Sequence, residues 1–182
     1  IGSMKYLRPL YNLMKEDLLK LPVIHADETY TQCLNEKGKP ATSTSYMFVY
    51  RSPKWTDSIV LYDYEDSRKG ENPKEFLNSF HGYLTTDAYA GYNKVENITR
   101  TLCNVHALRK FKEAYKLLPK GNGRKTSEEA EAISRYQKIF ELNTQAEERA
   151  AKKYSDHEKR MAYITKIRQT EIKPKFDAFL TW

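Results

Sequence analysis

The spacing of apolar residues changes from a helical period to a strand-like period at Pro22. From Lys5 to Leu21 apolar side chains recur at steps of three and four residues, which predicts an amphipathic helix ending before Pro22. Three runs rich in β-branched and aromatic residues follow, at 23–34, 46–51 and 58–64. Turn residues separate the first two runs, so the segment is predicted to be an antiparallel meander.

The next segment alternates between helical and strand-like patterns. Asn72 and Pro73 open a short helix predicted over 74–80, and Gly82 ends it. The predicted elements that follow are a strand at 83–87, a strand at 97–104 and a helix at 105–118. This order predicts an α/β fold with a mixed sheet flanked by helices.

The pattern after residue 118 is helical throughout. A glycine-containing basic linker occupies 119–125, and capping-box patterns begin at Thr126 and Ser155. A third helix is predicted to begin at Pro174, since proline is favoured in the first helical turn. We therefore expect a main domain over 5–118 and a separate all-helical region over 126–182.

Composition narrows the class of protein. The formal charge of +7 favours a polyanionic partner such as nucleic acid without establishing one. The two cysteines, Cys33 and Cys103, fit a reducing compartment, and no apolar run is long enough to span a bilayer. We expect a cytoplasmic protein without a membrane partner. The opening at 1–4 resembles a cloning scar, which suggests a chain cut from a longer protein.

Two aspartates stand at the ends of strand-like runs. Asp27 lies in the first run and Asp87 ends the run at 83–87. If the two strands are neighbours, their carboxylates can share a divalent cation, an arrangement suited to phosphoryl transfer. The alternative is that each aspartate forms a turn after its strand. Glu28 alternates to the opposite strand face from Asp27, so it is interpreted as a surface or salt-bridged group.

The start of the helix predicted at 105–118 carries a histidine and several basic side chains. His106 could donate to a phosphate oxygen, and nearby basic side chains could line a DNA backbone. The candidate DNA-binding residues are Arg109, Lys110, Lys112, Arg124 and Lys125. The alternative is a buried cysteine, a hydrogen-bonded histidine and a solvated basic face. Tyr89 and Tyr92 are interpreted as packing residues in preference to platforms for bases.

Taken together, these motifs resemble the transposases of the insertion sequence 66 family. The resemblance rests on HADET at 25–29, GYLTTDAYAGYN at 82–93 and ITRTLCNVHALRKF at 98–111, in order within a match from Lys5 to Trp182. It implies a ribonuclease H-like fold with a five-stranded mixed sheet whose first three strands are antiparallel. It also implies an Asp-Asp-Glu triad that binds two Mg²⁺ ions, with Mn²⁺ as a substitute.

The resemblance assigns Asp27 as the first catalytic aspartate and metal ligand, Asp87 as the second, and His106 as a supporting residue. The family's third acid is a glutamate in an Asn-Asn-x-x-Glu-Arg segment, which is expected beyond Trp182. The chain is thus expected to be a catalytic-core fragment, inactive as given.

The function implied by the resemblance is that of a bacterial DNA transposase, which cleaves transposon ends and joins them to target DNA, with an oligomer in the transposition complex. The alternative is a non-catalytic basic module for DNA binding or assembly from a decayed element.

Overall fold

A computed structural model describes residues 2–182, apart from the side chains of residues 2–4 and of Asn122. The chain divides into two compact units, of which the first ends at Cys103 and the second runs from Asn104 to Trp182. Within residues 2–182, no helix has both the length and the apolar character needed to cross a membrane.

The first unit is built on a five-stranded mixed sheet. Its strands are β1 (Val23–Thr31), β2 (Ser45–Arg51), β3 (Val60–Glu65), β4 (Tyr83–Thr86) and β5 (Thr99–Leu102). They lie in the order β3-β2-β1-β4-β5. The first three strands pair antiparallel, whereas β4 is parallel to both β1 and β5. The prediction of an α/β fold with a five-stranded mixed sheet that begins as an antiparallel meander is confirmed.

The core of the first unit lies against one face of this sheet. Two helices, α1 (Gly2–Leu19) and α2 (Glu71–Phe76), and a 3₁₀ turn at Ala90–Lys94 complete the unit. Phe48 and Tyr50 of β2 are fully buried, and the Tyr50 ring stacks on Phe76 at a centroid distance of 3.7 Å. Only part of the predicted apolar stripe of α1 is packed, because Leu7 and Leu10 remain exposed.

The second unit consists of helices. They are α3 (Asn104–Leu117), α4 (Asn122–Lys125), α5 (Glu128–Lys153), α6 (His157–Ile167) and α7 (Lys173–Thr181), with a π-helical turn at Arg168–Ile172 that joins the last two. Its core contains Leu108 of α3, Tyr136 of α5 and Phe179 of α7. The predicted domain limits of 5–118 and 126–182 stay a prediction, since the units reflect packing within this chain.

The helix starts in the second unit differ by one residue from the predicted ones. The Ser127 hydroxyl accepts the Ala130 N–H at 3.2 Å, and the Asp156 carboxylate accepts the Lys159 N–H at 2.8 Å. Serine is a better N-cap residue than threonine, which favours Ser127 over Thr126, whereas Asp156 and Ser155 are equally good N-cap residues and the sequence does not choose between them. The expected proline near the start of the last helix is confirmed, at the beginning of α7.

The carboxyl group of Asp63 in β3 is expected to make the stability of the protein depend on pH. Burial raises the pKa of its carboxyl above the usual 3.8, Lys15 opposes the shift, and Glu75 adds to it. A raised pKa means that the charged carboxylate destabilises the folded state above the folded pKa, and that this penalty vanishes below about pH 3.8. We therefore expect Asp63→Asn to raise the Tm at about pH 7 and to leave it unchanged at about pH 3.

Thermal unfolding followed by circular dichroism at both pH values checks this expectation. The matched control is Asp66→Asn, since the Asp66 side chain is 63% exposed and pairs with Lys39. An equal rise in the Tm for both variants would show that burial of Asp63 is not the cause.

Candidate active site

The pairing of β1 with β4 determines where the two candidate aspartates lie. The strands run parallel with Val23 opposite Tyr83, Ile24 opposite Leu84 and His25 opposite Thr85. Asp27, within β1, and Asp87, just past the end of β4, each lie two residues beyond the His25–Thr85 pair. Paired strands are about 4.8 Å apart, so each aspartate follows by two residues a backbone position that lies this close to the other strand.

The two aspartates belong to the sheet face that is opposite the main core. The residues that precede them, Ala26 and Thr86, are only 5% and 1% exposed. Successive strand residues point to opposite faces. Asp27 is exposed and Asp87 is half-buried, as this alternation requires. The alternation assigns both carboxylates to the sheet face opposite the core.

Each aspartate has one carboxylate oxygen held by a backbone amide. The Glu28 N–H donates to Oδ1 of Asp27 at 3.0 Å, and the Tyr89 N–H donates to Oδ1 of Asp87 at 2.9 Å. The second contact closes a turn, so the interpretation of Asp87 as a turn former is correct for its conformation. In the described part of the chain, Oδ2 of Asp87 accepts no hydrogen bond, which leaves that oxygen available to a ligand.

Arg100 of β5 fixes the backbone that follows β4. Its Nη2 donates to the carbonyl oxygens of Asp87 at 2.7 Å and Tyr89 at 2.8 Å, and its Nε donates to Oγ1 of Thr86 at 2.9 Å. Arg100 was not among the residues predicted from the sequence. The available signal was an arginine in the middle of an otherwise uncharged strand, which indicates a specific partner.

Glu28 is buried and forms an ion pair with the partly exposed Arg68. Oε1 of Glu28 accepts from Nε of Arg68 at 2.9 Å and from Nη2 of the same residue, while the Tyr92 hydroxyl donates to Oε2 at 2.6 Å. The salt-bridge interpretation is confirmed, but a surface location is wrong, because the side chain is 1% exposed. The reason is that the face opposite Asp27 is the core face of the sheet.

Tyr89 and Tyr92 are packing residues, as expected. Tyr92 is fully buried, and burial together with its hydrogen bond to Glu28 raises the pKa of its hydroxyl. The Tyr89 ring meets the Tyr92 ring edge-on at a centroid distance of 5.9 Å, and the Arg68 guanidinium lies 4.0 Å from the Tyr89 ring centroid. Because Tyr92 is inaccessible, it cannot stack on a base.

Gly70 and Gly91 allow two loops beside the aspartates to touch. A Cβ added at Gly70 would lie 2.5 Å from the carbonyl oxygen of Gly91. Since this neighbour is backbone, relief requires the loops to separate. We expect Gly70→Ala to lower the free energy of unfolding by about 1–3 kcal/mol, the usual effect of overpacking.

Urea unfolding measures this difference directly. Gly123→Ala is the control, because nothing lies within 4 Å of a Cβ at that position. Equal stability of the Gly70→Ala variant and the wild type would show that the two loops do not approach so closely.

His106 and the predicted DNA-binding residues lie in the second unit. His106 is half-buried in the first turn of α3, and Arg109 and Lys112 are exposed on the same helix. Lys110 forms an ion pair with Glu113 at 3.0 Å. The grouping of His106 with the two aspartates stays a prediction.

The two basic residues at 124 and 125 differ in their surroundings. Nε of Arg124 donates to the carbonyl oxygen of Tyr115 at 3.1 Å, and its guanidinium lies 4.3 Å from the Tyr115 ring centroid. Lys125 is exposed. Arg124 is therefore partly engaged by its own unit, whereas Lys125 presents its charge to solvent.

The residues present fit Mg²⁺ in part. Mg²⁺ prefers hard oxygen ligands and is commonly bound by one or two carboxylates together with waters and substrate phosphates. Asp27 and Asp87 supply two such carboxylates. Across residues 2–182, no group of three or more His, Cys, Asp or Glu side chains is placed to hold a metal ion. A third acid stays a prediction.

Comparisons with known proteins support the family resemblance that these motifs indicated. The sequence profile of the family described as "Transposase IS66 family" matches residues 1–182. A relative from Sinorhizobium fredii (strain NBRC 101917 / NGR234), "Uncharacterized protein y4hP", is 27% identical over 192 residues, which cover 97% of this chain and 33% of the relative. The chain thus spans about a third of that relative's length. No solved structure matches. Because the family profile matches the whole chain, this protein belongs to the IS66 family of transposases.

Proposed function

We propose that this chain supplies two of the metal-binding acids of a ribonuclease H-like catalytic core in a DNA transposase. The observation that carries the proposal is the β1–β4 register, in which Asp27 and Asp87 each lie two residues beyond the His25–Thr85 pair. The strand order and the three antiparallel strands at the start support a ribonuclease H-like fold. Family membership supports DNA, as transposon ends and target, as the partner.

The protein's contribution is to hold and orient charge. Bound Mg²⁺, or Mn²⁺ in its place, supplies charge neutralisation and an activated nucleophile for phosphoryl transfer. Asp27 and Asp87 hold the cation through carboxylate oxygens. The N–H groups of Glu28 and Tyr89 fix one oxygen of each aspartate. In phosphoryl transfer, positioning and electrostatic stabilisation supply most of the rate enhancement.

His106 is proposed to support this site without ligating the cation, and the third acid is proposed to be a glutamate beyond Trp182. The chain of 182 residues is therefore expected to bind a divalent cation but not to catalyse strand transfer. Activity needs to be measured in an intact transposase that carries this sequence and can assemble as an oligomer on DNA.

The test of the proposed function is strand transfer by such an intact protein with Asp27→Asn. Strand transfer should be lost while binding to transposon-end DNA is retained, because asparagine keeps the shape of the side chain but not its charge. The control is Asp66→Asn, an exposed aspartate paired with Lys39. Strand transfer at the wild-type rate in the Asp27→Asn protein would overturn the proposal.

The alternative, a basic module that binds DNA without chemistry, is favoured by one observation. Arg109 and Lys112 are both exposed and lie three residues apart on α3, so they occupy neighbouring positions on that helix. Side chains placed in this way can contact successive phosphates, and phosphate contacts carry no sequence information.

Salt dependence of DNA binding tests this second function. The double variant Arg109→Gln/Lys112→Gln should bind DNA more weakly and should reduce the slope of log K against log salt by about 1–2. Lys138→Gln is the control, because Lys138 is paired with Glu141. A slope that is the same for wild type and double variant would remove these residues from the DNA-binding surface.

A further inference from the structure

We infer that Glu28 and Arg68 are positioning residues, which hold the Asp27 and Asp87 carboxylates in place through the ion pair that they share. The inference rests on the proposed function, since it assumes that the two aspartates bind a divalent cation. It adds two residues that lie on the far side of the sheet from that cation.

The first step is the link from Glu28 to Asp27. The two residues are adjacent in β1 and point to opposite faces of the sheet. The Glu28 N–H donates to Oδ1 of Asp27, while the Glu28 carboxylate is anchored by Arg68 and Tyr92. Because both oxygens of Glu28 are engaged, the side chain fixes the backbone whose amide orients Asp27.

The second step is the link from Arg68 to Asp87. Arg68 lies between β3 and α2, and its guanidinium lies over the ring of Tyr89 at 4.0 Å from the centroid. The Tyr89 hydroxyl donates to the carbonyl oxygen of Arg68, and the Tyr89 N–H donates to Oδ1 of Asp87. Arg68 thereby contacts the ring and the hydroxyl of the residue whose backbone amide orients Asp87.

The two links close a path from one aspartate to the other. It runs from Asp27 through Glu28, Arg68 and Tyr89 to Asp87, and each step is a hydrogen bond, an ion pair, a ring contact or a peptide bond. A side-chain path that joins two neighbouring acids below the sheet can hold them at a fixed separation. Groups that orient metal ligands in this way typically change metal affinity by about 10–100-fold when they are replaced.

The positive charge of Arg68 allows two explanations to be distinguished by the direction in which the affinity for a divalent cation changes. Burial opposes the charge of Arg68, but the hydrogen bond and attraction to Glu28 raise its pKa, with weaker contributions from Tyr89 and Asp87. Arg68 is therefore a positive charge that interacts with Asp87. If it acted by charge alone, removing it would strengthen the binding of a divalent cation. If it positions the aspartates, removing it weakens that binding.

The experiment measures Mn²⁺ binding to this chain of 182 residues by the relaxation rate of water protons. In Arg68→Gln we expect the Kd for Mn²⁺ to rise about tenfold or more. Arg68→Lys keeps the charge but loses the two-point contact with Glu28, so its Kd should also rise. Far-UV circular dichroism verifies that each variant is folded.

The control is Lys74→Gln, which removes a positive charge from the same unit by breaking the exposed pair with Glu96. Its Kd should equal that of the wild type. If Arg68→Gln fails to fold, Tyr92→Phe decides the matter, since it removes only the hydroxyl that donates to Glu28 and should raise the Kd.

The outcomes separate this inference from the proposed function. A wild-type chain that does not bind Mn²⁺, or binds it equally well with Asp27→Asn, contradicts the metal site itself and removes the basis of the inference. A wild-type chain that binds Mn²⁺ through Asp27, with unchanged or tighter binding in the folded Arg68 variants, overturns the inference alone. Unchanged binding in folded Tyr92→Phe overturns it if Arg68→Gln is unfolded.

Discussion

Strand transfer by an intact transposase carrying this sequence should fall on the order of a thousandfold when Asp87 is replaced by asparagine. Stabilisation of charge by a bound metal ion contributes several kcal/mol, and about 1.4 kcal/mol corresponds to a factor of ten in rate. Asparagine can still accept the Tyr89 N–H through its Oδ1, so the turn after β4 should persist. The loss would then report the missing charge.

The rate of joining of a labelled transposon end to target DNA provides the measurement. Thr86→Ser is a suitable control, because serine keeps a hydroxyl at the neighbouring residue that Arg100 contacts. It should retain most of the activity. A rate for Asp87→Asn within a few-fold of the wild type, with DNA binding intact, would assign Asp87 to the turn alone.

The second unit should lose about 3–5 kcal/mol of stability when Tyr136 is replaced by alanine. Tyr136 is 5% exposed and lies at the centre of an aromatic cluster. Its ring centroid is 4.8 Å from that of Phe179, 5.9 Å from Phe111, 6.0 Å from Phe140 and 6.4 Å from Phe176. Truncation leaves a cavity that four rings cannot fill without moving.

Hydrogen exchange resolves this effect by unit. Amides of α3, α5 and α7 should exchange faster in Tyr136→Ala, because these helices share the cluster. Tyr163→Ala is the matched control, since Tyr163 is only half-buried and contacts Tyr154 at a centroid distance of 5.9 Å. Similar losses in both variants would contradict a core centred on Tyr136.

The strands that carry the candidate site could be predicted because their signal is local. Apolar and β-branched residues mark β1 and β4, and each aspartate follows such residues directly. Local patterns could not predict whether β1 and β4 are neighbours, since pairing between strands about sixty residues apart depends on the whole sheet. The family resemblance, not the periodicity, indicated that these two strands are neighbours.

The groups that support the aspartates could not be predicted. Glu28 and Arg68 are forty residues apart, and nothing in the local pattern pairs them. Alternation correctly placed Glu28 on the face opposite Asp27, but it could not show that this face is the buried one. Arg100 was missed for the same reason, because its partners are backbone carbonyls in a distant loop.

Errors at the helix ends have a different cause. Thr126 and Ser127 can both cap a helix, as can Ser155 and Asp156, so the sequence allows two starts one residue apart. The structure uses Ser127 and Asp156. The helical period of α1 was predicted, yet Leu7 and Leu10 are exposed, because periodicity does not reveal how much of a helix meets the core.

The central claim is that Asp27 and Asp87 form one cation site, and Mg²⁺ titration followed by amide NMR tests it most directly. The amides of Glu28 and Tyr89 each donate to one of the two carboxylates, so both report on ligation. The two signals should shift together with a single Kd, and both shifts should disappear in Asp27→Asn. Independent saturation of the two signals, or the absence of any shift, would contradict a shared site.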